Sequence, residues 1–506
     1  MKPFKTLLFI LGVFSILIIF SLLIPDDGIK VNENITIHFP AFNEVFNPDD
    51  VAYADISGIL EGTKGLSYDT LFDNNDYATD SIIQEHIKES KDSLAGSDTL
   101  RANADSLKQI IRSISYPGND KSVLFPFFKA LQNLSLTNEL IRIIHYGDSQ
   151  IEGDRITGYI RHRMQKRFGG MGPGLQPPSS LYNIDFSIKQ RTSDNWQRYT
   201  LLGKPDTSLT HNRFGALATF AQFTTAHDKT EIFEADTISK SAWISFERSN
   251  LAYSTARTFR QCQLFYGYNK SPLMLELEIN DSLFDADILP PGKRIQKKAW
   301  RFPASPQSLK LNFSGTDSPE VYAIGLDGLK GVAVDNVALR GNAGLIFRRI
   351  NQHQLNYMYK ELNAKLLILQ FGGNVVPYIS NDYSRYGEWF YSQLTRLKQI
   401  NPELSIIVIG VADMSKKEKD RYVSYPNIEP IRDVMKDAAF RAGCAYWDLY
   451  EAMGGENSMP SWVFAQPSLA STDFVHFNHR GARVIAEMFY NALIHDYENY
   501  LRTQAE

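Results

Sequence analysis

Hydrophobic positions fall into three patterns along this chain, and each predicts a different kind of structure. From Leu7 to Ile24 the run LLFILGVFSILIIFSLLI is apolar without a charge. As a helix rising 1.5 Å per residue it spans about 27 Å, near the hydrocarbon thickness of a bilayer. Later, IRIIHY, VAVDNVAL, KLLILQF, SIIVIG and CAYWDL are short continuous apolar runs, the signature of parallel strands covered on both faces. Helical patterns such as GYIRHRMQKRF, FYSQLTRLKQI and IRDVMKDAAFRAG lie between or after them. Together they predict a doubly wound α/β unit.

A different periodicity interrupts that unit. SAWISFER, CQLFYGY, LMLELEI, SLKLNF and VYAIGL are short, several alternate with period two, and Asn, Asp, Gly, Ser and Pro separate them, which predicts a β-sandwich. Ahead of the first parallel strand, FPAFNEVFNPDDVAYADISGIL can form a short docked element, whereas SYDTLFDNNDYATDSIIQEHIKESKDSLAGSDTLRANAD is polar, acidic and stalk-like. SYPGNDKSVLFPFFKALQNL then suits an amphipathic helix leading into the sheet. The resulting partition is 1–25 signal anchor, 26–115 stalk or linker, 116–180 and 329–506 two parts of the α/β unit, and 181–328 an insertion.

Charge places the ends. Lys2 and Lys5 precede the apolar run and Asp26 and Asp27 follow it, so the positive-inside rule sets the N-terminus in the cytoplasm and the rest outside. A cleaved signal peptide is the competing reading. No small-x-small cleavage site follows and no cysteine is placed for a lipid anchor, which favours an uncleaved anchor. At 506 residues the chain exceeds one core. With 53 Lys+Arg against 57 Asp+Glu it carries no nucleic-acid footprint. Cys262 and Cys444 fall in different units, so a disulfide between them is possible but not favoured. No HExxH, paired CxxC or EF-hand pattern occurs, so no metal is assigned. GGMGPG at 169–174 lacks the Lys-Ser/Thr ending of a phosphate loop and is read as a turn near the active-site rim, leaving no cofactor.

Candidate chemistry lies at strand ends. Gly147, Asp148 and Ser149 close the run IRIIHYGDS, with helical residues after them, so a hydroxyl is presented at a strand-to-helix turn with the amides of a helix start facing its target. KLLILQF ends in Gly372, Gly373 and Asn374, and Asp473 stands three residues before His476 ahead of a C-terminal helix. A serine hydrolase needs a base near the hydroxyl, a carboxylate to fix the imidazole tautomer, and donors for the oxyanion. Ser149, His476, Asp473 and Asn374 fit those roles. Each also has a plain structural reading as a turn residue, a helix cap or a helix-start histidine; their joint order argues for the chemistry.

GDS, a later glycine, GGN and DFVH, in this order, resemble the four blocks of the SGNH (GDSL-type) hydrolases. The resemblance implies a nucleophile at Ser149, a dyad of Asp473 and His476, and an oxyanion hole from the Ser149 amide, a block-two glycine and Asn374. Gly341 in DNVALRGNAG is the best match for that glycine, with Gly344 the alternative. Where the family usually continues GDSL or GDSH, this chain has Gln150, a departure expected to bear on substrate more than on chemistry. The fold implied is a doubly wound parallel-sheet SGNH hydrolase interrupted by a β-sandwich-like insertion. That arrangement resembles peptidoglycan O-acetylesterases in which a carbohydrate-binding-module-like domain separates the first two blocks.

The expected activity is removal of O-acetyl groups from a cell-envelope polysaccharide, peptidoglycan first, outside the membrane. An O-acetyltransferase using the same residues with an envelope acyltransferase partner, and a non-catalytic glycan-binding scaffold, are the alternatives. Trp196, Trp243 and Trp300 in the insertion are read as core before sugar platform. Lys293, Arg294, Lys297, Lys298 and Arg301 are read as a solvated loop before an anionic-glycan dock, and Asp154 and Arg155, in the first helix after Ser149, as members of structural ion pairs before substrate contacts.

Overall fold

The computed structural model describes residues 3–23, 29–32, 35–37, 51–62, 112–180, 186–203, 206, 209–224, 239–419 and 421–505. The polar stretch expected as a stalk, 67–105, lies outside the described residues. Residues 1–53 and 54–506 form two compact units. In the first, Pro3–Leu23 is one helix whose large side chains, among them Phe4, Leu8, Phe9 and Phe14, are exposed. It is long and apolar enough to cross a membrane, and side chains apolar all round are those of a helix that meets lipid or a buried interior.

The second unit is organised by a five-stranded parallel sheet: β1 Leu140–Gly147, β2 Gly331–Ala338, β3 Ala364–Gln370, β4 Ser405–Ile409 and β5 Ala445–Trp447, in the order β2-β1-β3-β4-β5. Each is one of the predicted apolar runs. Successive residues point to opposite faces, which explains why the runs do not alternate. Ile144, Leu367, Leu369, Ile406 and Val408 pack against α2 Gln352–Glu361, α3 Ser384–Ile400 and α4 Ile428–Arg441, whereas Ile143, Leu366, Ile368, Ile407 and Ile409 pack against α1 Thr157–Phe168 and α5 His479–Ala505. The register sets Gly147 beside Ala338 and beside Gln370. The loops after β1, β2 and β3 therefore emerge together at one edge, where an open parallel sheet holds its ligand. The helix expected before β1 is Phe125–Asn133.

Two antiparallel sheets fill most of the insertion. Ser282–Leu289, Leu273–Ile279, Ser308–Gly315, Lys240–Arg248 and Ile188–Thr192 form one, and Ile295–Arg301, Gln261–Gly267, Glu320–Asp327, Thr219–Gln222 and Gln197–Thr200 the other. Ile244, Phe246, Leu275 and Leu311 of the first share a core with Leu264, Val321 and Ile324 of the second. Trp196 and Trp300 are buried in that core, while Trp243 is half-buried with Lys310 over its ring.

The second of these sheets also joins the α/β core. Phe220, Phe265 and Tyr322 belong to the same cluster as Tyr146, Val337, Phe347 and Tyr359. Gly174–Gln176 pairs with Glu320–Asp327, and Arg142 of β1 is buried between Asp327 and Asp335.

Two expectations are corrected. The segment 169–174 is not a rim turn. It starts at the amino end of β2, where a Cβ on Gly170 would stand 2.2 Å from the Val332 carbonyl oxygen, and Gly172 is as tightly placed against Leu326. Glycine is required there for close backbone approach. The basic cluster is not a free loop: Lys297 and Lys298 lie on the strand Ile295–Arg301, paired with Glu361 at 2.6 Å and Asp287 at 2.5 Å. Cys262 and Cys444 are free and buried.

Candidate active site

The nucleophile turn is built around Asp148. Its amide donates to the Gln370 carbonyl at 3.2 Å, and its Oδ1 accepts from the Gln150 amide at 3.0 Å. These bonds turn the chain sharply out of β1. Ser149 does not open an α-helix, as the helical pattern had suggested. It starts a short 3₁₀ turn, Ser149–Asp154, broken by Gly153 at φ +69°, and α1 begins only at Thr157. No helix N-terminus therefore backs the hydroxyl.

The three residues expected to cooperate are in contact. Ser149 Oγ lies 2.9 Å from His476 Nε2, and His476 Nδ1 lies 2.7 Å from Asp473 Oδ2. Asp473 Oδ1 accepts from the amides of Val475 and His476, each at 3.0 Å. Partial burial pushes the Asp473 carboxyl up, but the amide and imidazole hydrogen bonds outweigh it and hold the group below the usual carboxylate range. The loop that carries the dyad is fixed by Phe474, at φ +56°, whose ring stacks on Tyr422 with centroids 3.5 Å apart.

Asn374 follows β3. Its Nδ2 donates to Asp148 Oδ2 at 3.3 Å and to the Asn342 carbonyl at 3.2 Å, both long, so the amide is held in place without being tightly bound. The turn after β2 is tied to the nucleophile strand by the Leu339 amide, which donates to the Gly147 carbonyl at 2.7 Å. Gly341 sits exposed in that turn at φ +76°, with open space where a Cβ would be. Gly344 is buried, and a Cβ there would meet Phe390 at 2.9 Å and Phe371 at 3.1 Å. Packing explains Gly344. The Gly344 amide is in addition taken by Asn342 Oδ1 at 2.7 Å.

Four residues have roles that escaped the sequence reading. Asp148 links the nucleophile turn to Asn374; burial pushes its carboxyl up to about 6, against hydrogen bonds and the nearby imidazole. Asn342 supplies the carbonyl that orients Asn374. Gln150 is buried and faces the histidine loop instead of a substrate: its Nε2 donates to the Val475 carbonyl at 2.6 Å, and its Oε1 accepts weakly from the Phe477 amide at 3.5 Å. Gln150, standing where the resembled family carries Leu or His, was the available signal. Arg155 donates to the Glu152 and Phe477 carbonyls at 2.8 and 3.2 Å, so it joins the same two loops through backbone carbonyls instead of the structural ion pair expected of it. Asp154 does pair structurally, with buried Arg161.

No protein-family model matches the chain, and no curated protein matches it by sequence. Among solved structures, one described as "Peptidoglycan O-acetylesterase in action" is similar with a TM-score of 0.58 at 19% identity, covering 74% of this chain and 96% of that one. The architecture, a parallel α/β sheet with inserted antiparallel sheets, is thus shared with that protein. A family two carbohydrate esterase from Cellvibrio japonicus covers 62% of this chain and 99% of its own at 9% identity, with a TM-score of 0.24 that carries no further weight.

Proposed function

We propose that the protein is a serine esterase of the SGNH type that removes O-acetyl groups from a cell-envelope polysaccharide, most of all peptidoglycan, on the outer side of a membrane to which its N-terminal helix anchors it. The observation that carries this reading is the unbroken hydrogen-bonded series from Ser149 through His476 to Asp473 at the carboxyl edge of the sheet. A fold shared with a peptidoglycan O-acetylesterase supports the substrate class. Lys2 and Lys5 before the apolar helix support the orientation.

In this reading His476 Nε2 takes the Ser149 proton as Oγ attacks the acetyl carbonyl. Asp473, already ionised, holds Nδ1–H and stabilises the imidazolium. The tetrahedral oxyanion is met by the Ser149 and Gly341 amides and by Asn374 Nδ2, which exchanges one of its two long bonds, to Asp148 Oδ2 or to the Asn342 carbonyl, for the oxyanion. His476 then protonates the departing sugar oxygen, and water activated by the same imidazole releases acetate from Ser149.

The test is acetate release from O-acetylated peptidoglycan by the full-length protein and by Ser149→Ala. Release by the first and loss of essentially all of it in the second is the expected result. Equal release by both overturns the assignment. Added unacetylated oligosaccharide separates hydrolase from transferase: transfer would lower free acetate and form new glycan ester.

A further inference from the structure

Beside the nucleophile turn is a cavity of about 180 Å³ that none of Ser149, Asp473, His476 or Asn374 lines. It lies on the β2 side of β1, whereas Asn374 follows β3 on the other. Its walls come from three places: Glu152 and Asp154 of the turn that begins at Ser149, Asn336 to Ala338 at the carboxyl end of β2, and the insertion, which contributes Arg198, Leu217 and Thr219. Catalytic part and insertion thus form it together, and its Glu152 and Asp154 belong to the same short turn that starts at Ser149.

Its polar groups are of two kinds. Asp154 is satisfied: Arg161 and the Ser187 hydroxyl both donate to it, so this part of the wall is neutral and fixed. Glu152 is not. Its Oε1 is buried and accepts no hydrogen bond, and the Arg340 guanidinium at 3.8 Å is beyond hydrogen-bond reach. A buried carboxylate oxygen left without a donor is costly, and a ligand hydroxyl in the cavity would supply one. Arg198 is steadied by donating from Nε to Thr219 Oγ1 at 2.9 Å. Asp154 and Arg161 cancel, and the Glu152 carboxylate is an ion-pair partner of Arg340 at 3.8 Å, so the charges at this end of the cavity are balanced. Phe186, Leu217 and Pro177 give the apolar wall against which the face of a ring rests.

We propose that this cavity is the subsite for a neutral pyranose of the glycan whose ester is cleaved at Ser149, with a sugar hydroxyl donating to Glu152. The assignment of the ligand as the substrate's own glycan rests on the esterase reading. An acidic sugar is disfavoured, since its carboxylate would face Glu152 with like charge.

Two measurements on the full-length protein decide it. The first is calorimetric binding of chitotetraose, a neutral oligosaccharide, and of trigalacturonate, an acidic one, to Ser149→Ala protein with and without Glu152→Gln. Chitotetraose should bind and weaken at least tenfold in the Glu152→Gln background, and Leu217→Trp, which fills the cavity without touching Glu152, should weaken it similarly. Unchanged chitotetraose affinity in both variants, or tighter binding of trigalacturonate, overturns the proposal. The second is kcat/KM for an acetylated oligosaccharide relative to an aryl acetate. In Glu152→Gln that ratio should fall at least tenfold through KM, and a parallel loss on both esters argues against a subsite. Absence of acetate release from wild-type protein would overturn the esterase reading, while the binding measurement would still decide the cavity.

Discussion

Replacing Gln150 by leucine, a residue the resembled family commonly carries there, removes a side-chain amide that grips the backbone on both sides of the His476 imidazole. The strong contact is Nε2 to the Val475 carbonyl at 2.6 Å; the contact from the Phe477 amide, at 3.5 Å, is marginal. Leucine fills similar volume, so the loss is one good buried hydrogen bond and one poor one, with the Val475 carbonyl left without this donor. That costs about 1–3 kcal/mol of stability. Arg155 still holds the Phe477 carbonyl at 3.2 Å, so the loop should stay folded but less sharply placed. A misplacement of about 1 Å of a reacting group costs up to roughly a hundredfold in rate, and with half the clamp intact kcat should fall about tenfold. KM should change little, because Gln150 is turned toward the loop and not toward substrate. The assay is steady-state hydrolysis of an acetyl ester alongside thermal unfolding. Adding Arg155→Ala should deepen the kcat defect more than the sum of the single losses, since the two side chains hold the same carbonyl-bearing segment. An unchanged kcat with a lowered Tm would show that Gln150 only packs. A rise in KM at constant kcat would return it to the substrate-facing role first expected from the sequence.

Asn374→Ala should lower kcat about a hundredfold to a thousandfold, as loss of one oxyanion donor does, and an unaffected rate would make Asn374 a turn residue. Asp473→Asn should slow turnover by leaving the imidazole in the wrong tautomer; full activity would reduce Asp473 to the cap for the Val475 and His476 amides. Asp148, raised from 3.8 to about 6 by burial, binds its proton more tightly folded than unfolded. Its stabilising contribution is full below about pH 4 and lost as the pH rises through 6, on the order of 2–3 kcal/mol. The Tm advantage of wild type over Asp148→Asn should therefore shrink between pH 4 and 7, and a flat difference would refute the burial argument. Replacing 181–328 by a short linker should abolish folding, read as loss of a cooperative thermal transition. A folded, ester-hydrolysing product would show that the insertion is dispensable.

The sheet was legible because its strands are covered on both faces, and that burial writes itself into the chain as continuous apolar runs such as KLLILQF and SIIVIG. Ser149 and Asn374 were legible for a related reason: strand ends in an open parallel sheet are where ligand chemistry collects, and each stands at such an end. Asp473 and His476 are close in sequence, so their pairing is local. What was not legible depends on distant chain segments meeting. Gln150 and Arg155 act on carbonyls and an amide of the histidine loop, and Asp148 acts on Asn374. No local pattern encodes those distances. The amphipathic residues after Ser149 suggested a helix start there, but Gly153 at positive φ breaks the turn and delays α1. Spacing of polar and apolar residues cannot register one such glycine. The 169–174 segment was misplaced for the same reason, since its glycines answer to the backbone of β2 and of Glu320–Asp327, not to a rim.

The insertion's bond to the sheet changes how it can act. A tethered glycan-binding module would have its own closed core and contribute affinity by proximity alone. Here one face of the inserted sheet packs on Tyr146, Val337 and Tyr359, so its strands are part of the support beneath the carboxyl edge of β1 and β2. Arg142 makes the dependence electrostatic as well. It is buried inside β1 and shared between Asp335 of β2 and Asp327 of the last inserted strand. Removing Asp327 would leave Arg142 with only one of its two carboxylates, and breaking such a buried pair costs about 3–5 kcal/mol. An insertion anchored in this way cannot swing relative to Ser149. Under the proposed function, any sugar it contacts is held at a fixed offset from Ser149 Oγ, which is the condition under which binding energy remote from the ester becomes useful in orienting it.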